Sequence, residues 1–245
     1  MESNFVRRYQ EYRRISGDIQ SAALESVPGV TMIEFGRRLG AVWHGKVALD
    51  EPNDLKLLYD IAIHTAKSGR TRAIDRYARQ ARFPDGSDNA RILHSLRNAY
   101  CTMFEFRSRH NVAGVIAWDL LRKQEFHMMD VSLGLSAKTG DCYVGRLMDI
   151  DGFSMSCLMV LPIDMDLLEW ALPLMPQVRA GSEFAAFQDM RCAVGFYRAA
   201  IASGHTARCV NLEVEKELPT EEMVEAIRQA NDRRSADWPE RLASR

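Results

Sequence analysis

The chain has 245 residues, 47% of them hydrophobic and 27% charged, with a formal net charge of −1. That length and balance fit a folded domain with a substantial core, and the near-zero charge excludes a strong global field for nucleic acid or anionic lipid. No apolar run approaches the roughly 20 residues of a membrane span, and the five cysteines are dispersed without a C-x-x-C pair, the usage of reduced, mostly buried thiols.

From Phe5 to about Leu24, Phe5, Tyr9, Tyr12, Ile15 and Ile19 recur at helical spacing with arginines between them, and Pro28-Gly29 ends the segment. The charged stretch Met1 to Arg14 lacks the apolar core of a signal peptide, so the expected location is the cytoplasm. A second helix is predicted from Thr31 as N-cap, with Glu34 at the capping-box position, to His44 before Gly45. A third follows Pro52-Asn53 and reaches Lys67, with Leu55, Leu58, Ile61 or Ala62 and Thr65 in one stripe and Ser68-Gly69 as its stop. A fourth spans Arg70 to Phe83, and Asp88 caps a fifth that leads into Tyr100.

The fourth helix is basic. Between Lys67 and Arg97 there are eight basic residues against three acidic ones, and Arg72, Arg76 and Arg79 share one helical face. A solvated face, or one paired to the acid-rich stretches Asp141 to Glu169 and Glu213 to Glu225, is the favoured reading. Weak nucleic-acid binding through this face is the alternative, with no recognised nucleic-acid motif behind it.

The region from about 103 to 163 alternates as strands do. Phe104 and Phe106 alternate with Glu105 and Arg107, Asn111 to Gly114 turn the chain, and Val115-Ile116-Ala117-Trp118 resumes an apolar run. A third strand, Glu125 to Val131, sets Phe126 and Met128 on one face and Glu125 and His127 on the other. Cys142 to Ile150 and Phe153 to Leu161 flank Asp151-Gly152, whose tolerance of positive φ suits a two-residue type I′ hairpin. With Ile150 opposite Phe153, the register sets Met148 against Met155, Arg146 against Cys157 and Val144 against Met159. Arg146 is then the lone charge of an apolar face, to be read as a structural ion pair or as an anion-binding arginine, with Asp119, Asp130 and Asp141 as candidate partners.

After Pro162 the chain returns to helix, from Met165 to about Ala171 and from Ser182 to Ser203, where Gly204 closes it. A last helix is predicted from Thr220 to Arg233, before a polar tail, 235–245, that frays.

Catalytic and metal patterns are wanting: there is no P-loop, G-x-S-x-G, H-E-x-x-H or paired-cysteine zinc signature, so no cofactor and no metal are expected. His110, Glu125, His127 and Asp130 lie in neighbouring elements but read as ordinary surface polar residues rather than ligands or an acid–base pair. Cys142 or Cys157 beside a histidine reads as core rather than as a nucleophile.

The run Tyr100-Cys101-Thr102-Met103-Phe104-Glu105-Phe106, then Val115 to Leu121, Met129-Asp130 and Val144-Gly145-Arg146-Leu147, resembles a pattern in uncharacterised bacterial proteins with a helical front and a central strand meander. The resemblance covers about a quarter of the chain and implies that Asp119, Asp130 and Arg146 matter to the meander, without implying a reaction.

The sequence therefore predicts a single α+β domain: helices over 1–98, a small antiparallel meander or partial barrel over 99–163, and helices over 164–234. The expected role is non-enzymatic, a cytoplasmic binding or interaction protein for an unknown protein or an anionic ligand, with no membrane association. The alternatives are a small enzyme acting on an anionic substrate held by Arg146, and the weak nucleic-acid binder.

Overall fold

The computed structural model describes residues 2–49, 51–66, 69–179 and 183–209. The predicted helix from Thr220 to Arg233 and the tail after it lie outside these residues. The fold is α+β. Its helical front comprises α1 (Glu2–Glu25), α2 (Gly29–Arg38), α3 (Pro52–His64), α4 (Ala73–Gln80) and α5 (Asp88–Arg97), with a short hairpin, β1 (Val42–Trp43) and β2 (Lys46–Val47), between α2 and α3. Then come β3 (Tyr100–Arg109), β4 (Val115–Asp119), β5 (Gln124–Met128), α6 (Val131–Ser136), β6 (Cys142–Ile150) and β7 (Phe153–Ile163), followed by α7 (Met165–Ala171), α8 (Glu183–Phe187) and α9 (Met190–Ser203).

Strands β3 to β7 close into a barrel in the order β3-β4-β5-β7-β6. Strands β3, β4 and β5 run as a meander; the β6–β7 hairpin then crosses over, so that β6 pairs antiparallel with β3 and β7 meets β5 in parallel through Met128 and Ser154. This connectivity resembles that of a five-stranded Greek-key barrel of the OB type. Its interior holds Phe104, Phe106, Val115, Ala117, Tyr143 and Leu147, and α6 contributes Leu133 to the same cluster. The sequence reading continued the third strand to Val131. Instead the strand ends at Met128, because Asp130 accepts from Leu133 N at 3.0 Å and starts α6.

The Asp151-Gly152 turn has both residues at positive φ (51° and 83°), and Ile150 faces Phe153 with Met148 facing Met155, as the hairpin rule requires. The register then departs from the predicted one. Leu147 pairs with Ser156 and Gly145 with Val160, so Arg146 stands opposite a bulge spanning Cys157, Leu158 and Met159, and Val144 meets Leu161 rather than Met159. Bulges bend a strand as barrel closure demands. Gly145 serves the same tight corner: a Cβ there would lie 2.7 Å from Val160 Cγ1 and 3.0 Å from the Met159 carbonyl oxygen.

The helices cover the outer face of β3, β6 and β7 in two clusters. One joins Tyr12, Ile15 and Ile19 of α1, Ile74 of α4 and Ile92 and Leu96 of α5 to Met148, Phe153 and Met155. The other joins Phe35, Leu58, Ile61, Phe196 and Ala200 of α2, α3 and α9 to Cys101, Val144 and Leu161.

Several helices differ from expectation: the third stops at His64 rather than Lys67, the fourth covers Ala73–Gln80 rather than Arg70 to Phe83, and the fifth is capped by Ser87, which accepts from Ala90 N, in place of Asp88. The second begins at Gly29 instead of after Thr31 and stops at Arg38, where Gly40 takes φ 76°; the His44-Gly45 pair (φ 48° and 75°) turns the β1–β2 hairpin rather than ending a helix. The single helix predicted from Ser182 to Ser203 is two. Asp189 caps α9 by accepting from Arg191 N, and the preceding Gln188 turns its amide onto the backbone of β3. No helix among the described residues is long and apolar enough to cross a membrane.

Candidate functional site

Helix α3 is the most deeply buried of the front, and it carries two polar side chains one turn apart, Asp60 and His64, 3% exposed each. Asp60 meets Arg146 of β6. The guanidinium Nε donates to Asp60 Oδ1 at 3.0 Å and Oδ2 at 3.1 Å, and the Tyr197 hydroxyl of α9 donates to Oδ2 at 3.0 Å. Arg146 is 7% exposed. Burial works against its charge, but Asp60, Cys101 and Tyr197 more than offset it, so the group is held above the ordinary arginine range. The carboxylate that holds Arg146 is thus Asp60, 86 residues away, and not Asp119, Asp130 or Asp141.

Those three aspartates do local work. Asp119, fully buried, accepts from Leu121 N, Arg122 N and Thr102 Oγ1 through Oδ1 and from Arg122 Nε through Oδ2, which builds the β4–β5 turn. Asp130 caps α6. Asp141 accepts from Lys138 N at 2.8 Å in the turn before β6.

Arg146 forms part of the wall of a cavity of about 600 Å³ where α3, α5, the start of β3 and the α8–α9 junction meet. Around it stand His64, Arg72, Arg97, Tyr100 and Gln188, with Phe184, Phe187, Met190 and Ala193 as the apolar side. Arg72 forks onto Asp75 (Nε to Oδ2 2.6 Å, NH2 to Oδ1 3.1 Å) and reaches the Arg97 carbonyl, while Arg97 Nε donates to Asp75 Oδ1 at 3.1 Å. Partial burial opposes the Asp75 charge, and the two arginines win, holding its carboxyl below the usual range. Gln188 closes one wall by pairing with both the N–H and the C=O of Cys101 (3.1 and 2.9 Å). Three arginines therefore line one cavity with an apolar flank, together with Asp189, whose carboxylate is paired with Arg191.

The titratable groups of the wall are poorly suited to nucleophilic chemistry. Burial pushes the Cys101 thiol up to about 11, so it stays protonated at neutral pH. His64 is held well below the normal histidine value, first by burial and then by the charges of Arg146 and Arg72. Cys157, buried behind the β6–β7 bulge, is likewise raised by desolvation; Cys142 is raised in the same way at the other end of β6.

Other sequence candidates fall elsewhere. Arg76 donates to Thr71 O and Ser26 O, so the basic face of α4 is partly consumed inside the protein, and Arg79 is the exposed member of the three. His110 and His127 stack with ring centroids 3.8 Å apart, Glu125 is exposed beside them, and Asp130 is occupied as a cap. Among the described residues no group of three or more His, Cys, Asp or Glu could hold a metal ion.

A serine–histidine–aspartate chain that the sequence reading missed joins Ser203, His205 and Asp164: Ser203 Oγ lies 2.6 Å from His205 Nδ1, and His205 Nε2 2.9 Å from Asp164 Oδ1. Ser203 Oγ also donates to the Ala199 carbonyl at 2.7 Å, Ser203 and His205 are buried, and Asp164 caps α7, so this chain fastens α9 to the end of β7.

Asp60, His64, Gln188 and Tyr197 were also missed. Asp60 had a signal, since a lone carboxylate inside Leu57-Leu58-Tyr59-Asp60-Ile61-Ala62-Ile63 must be paired if that helix is buried.

A five-stranded barrel covered by two sets of helices, with an arginine-lined cavity beside it, defines a small α+β protein. The chain belongs to the family of unknown function DUF7986, whose pattern matches residues 3–169. The matched stretch contains the barrel and the Asp60–Arg146 pair and ends before the α8–α9 wall of the cavity. No curated protein and no solved structure matches the chain.

Proposed function

We propose that this is a cytoplasmic binding protein whose ligand is a small organic anion with an apolar body, taken up in the cavity above Arg146. The presence of Arg72, Arg97 and Arg146 in the wall of one cavity beside Phe184, Phe187 and Met190 carries the reading. Binding rather than catalysis is favoured because the wall offers a protonated thiol and a weakly basic imidazole in place of an activated nucleophile. Titration calorimetry with an aromatic carboxylate tests it: affinity should fall with added salt, weaken on Arg97→Gln and be lost on Ala193→Phe, which fills the cavity. Binding indifferent to both substitutions would refute the proposal.

A second reading concerns the outer face of β4 and β5, because strands two and three of OB-type barrels are where oligonucleotides and oligosaccharides bind. Trp118 lies on this face with the Arg107 guanidinium 6.0 Å from its ring centre, next to the stacked His110–His127 pair. Aromatic side chains flanked by arginine suit unpaired bases. A single-stranded oligonucleotide that quenches tryptophan fluorescence in the wild type but not in Trp118→Ala would support this site over the α4 face; quenching removed by Arg79→Gln instead would favour the helix.

A further inference from the structure

Strand β3 outruns one of its two neighbours. It pairs with β6 from Tyr100 to Glu105, but with β4 only from Phe104 onward, and Leu120 N donating to Met103 O at 2.8 Å extends the β4 side by one further bond. Two residues back, on the same side by the alternation of the ladder, stands Cys101. Its backbone is taken by the side chain of Gln188: Oε1 accepts from Cys101 N at 3.1 Å, and Nε2 donates to Cys101 O at 2.9 Å. Both bonds fall on one residue, as in a hydrogen-bonded pair of antiparallel strands, so the glutamine amide stands where a residue of another strand would stand. Gln188 is exposed, and it lines the arginine-bearing cavity together with Tyr100 and Cys101.

An exposed side-chain amide is a replaceable cap. A peptide residue offers Cys101 the same acceptor and donor, so exchanging Gln188 for it conserves both hydrogen bonds and returns the glutamine to water. Direction follows from the pairing. An antiparallel partner of β3 runs back toward the start of that strand, where Ala99, Asn98 and Arg97 precede Tyr100, and all of these line the cavity. The C-terminus of such a partner is delivered to Arg97, whose side chain is 49% exposed. Beside it lies Phe184, with its ring centroid 6.1 Å from that of Tyr100, and then Phe187 and Met190. We infer that the ligand of this cavity is the C-terminal end of an extended peptide whose last residue is apolar. Its penultimate residue pairs with Cys101 in place of Gln188, its carboxylate lies on Arg97, and its last side chain packs against Phe184 and Phe187. Main-chain bonds to a strand edge with a pocket for one side chain are the general form of strand addition. The inference rests on the anion-cavity reading and narrows its ligand class.

The test uses the full chain and N-acetyl-alanyl-phenylalanine as probe. Two relatives each remove one contact: the lactyl ester analogue replaces the alanine N–H that would face Cys101 O, and the C-terminal amide removes the charge. Calorimetry should show each binding about tenfold or more weaker than the parent peptide. Proton–nitrogen NMR should show the Gln188 side-chain amide moving to the position of a hydrated glutamine with the peptide and not with phenylpropionate. Gln188→Ala should bind the peptide about threefold or more tighter, because nothing has to be displaced. If that variant does not fold, the probe series on the wild type decides alone. Equal affinity of the peptide and its ester, with the Gln188 amide unmoved, overturns the inference, as does equal affinity of the peptide and its C-terminal amide. The anion site still stands in either case where phenylpropionate binds and Arg97→Gln weakens it. Failure of every acid to bind at millimolar concentration overturns the anion site and the inference together.

Discussion

Replacing Arg146 by Met removes the charge while keeping most of the stem's volume, so the loss measures the electrostatics of the site more than its packing. The Asp60 carboxylate, 4% exposed as a side chain, then keeps the Tyr197 hydroxyl but loses its cation. Stranding one member of a buried pair costs about 3–5 kcal/mol, whereas replacing both with apolar groups is often nearly neutral. Arg146→Met should therefore lower stability by at least about 3 kcal/mol, a shift of about 1 M or more in the urea midpoint at an m-value near 3 kcal/mol/M. The double change Arg146→Met with Asp60→Leu should recover about 2 kcal/mol or more of that loss. Urea unfolding followed by tryptophan fluorescence and by circular dichroism, with coincident transitions, gives both values. An unchanged midpoint in the single variant, or a double variant as unstable as the sum of the two singles, would refute the argument that the pair is held by mutual neutralisation.

His64 is neutral when folded and titrates near 6.5 when unfolded, so its depressed folded value contributes stability that is complete above that pH and lost as pH falls, by up to about 1.4 kcal/mol per pH unit. His127, also lowered mainly by burial, adds to the trend, so the stability of the wild type relative to His64→Leu isolates His64 and should fall steadily from about pH 7 to pH 5. Gly145→Ala should cost about 1–3 kcal/mol in thermal or urea unfolding, because its Cβ meets the Val160 side chain at 2.7 Å and the Met159 backbone oxygen at 3.0 Å; no loss would mean that the β6–β7 corner can open. Arg72→Gln should lower the midpoint by about 1 kcal/mol or more through loss of its fork on Asp75, whereas Arg79→Gln should stay within about 0.5 kcal/mol; equal effects would contradict the division of the basic face.

Much of the fold was legible because its signals are local. The paired positive φ demanded at Asp151-Gly152 sets the hairpin from Ile150 and Phe153 outward, and alternation at Phe104, Phe106, Phe126 and Met128 sorts barrel interior from exterior. What failed was governed by longer-range geometry. The register of β6 and β7 slips opposite Arg146 because the barrel must bend, and a sequence of uninterrupted alternation contains no mark of where the bend falls. Gln188 breaks the α8–α9 helix to satisfy the open edge of β3 at Cys101, a demand made by a residue 87 positions away.

The site was half legible for the same reason. A lone arginine on an apolar strand face announces a buried pair, but Asp119, Asp130 and Asp141 were favoured through nearness in sequence, and each is consumed by the turn or helix start in which it sits. Asp60 was free for Arg146 because a mid-helix carboxylate has no nearby backbone N–H to accept from; its only relief is tertiary. That division of labour also sets what the cavity can be. Arg146 is fixed by Asp60 and cannot swing to follow a ligand, so it supplies a stationary positive floor, while Arg97, half exposed and sharing Asp75 with Arg72, can yield to an incoming anion. Substitutions at Arg146 therefore report on folding, and those at the half-exposed Arg97 are the ones that separate binding from stability.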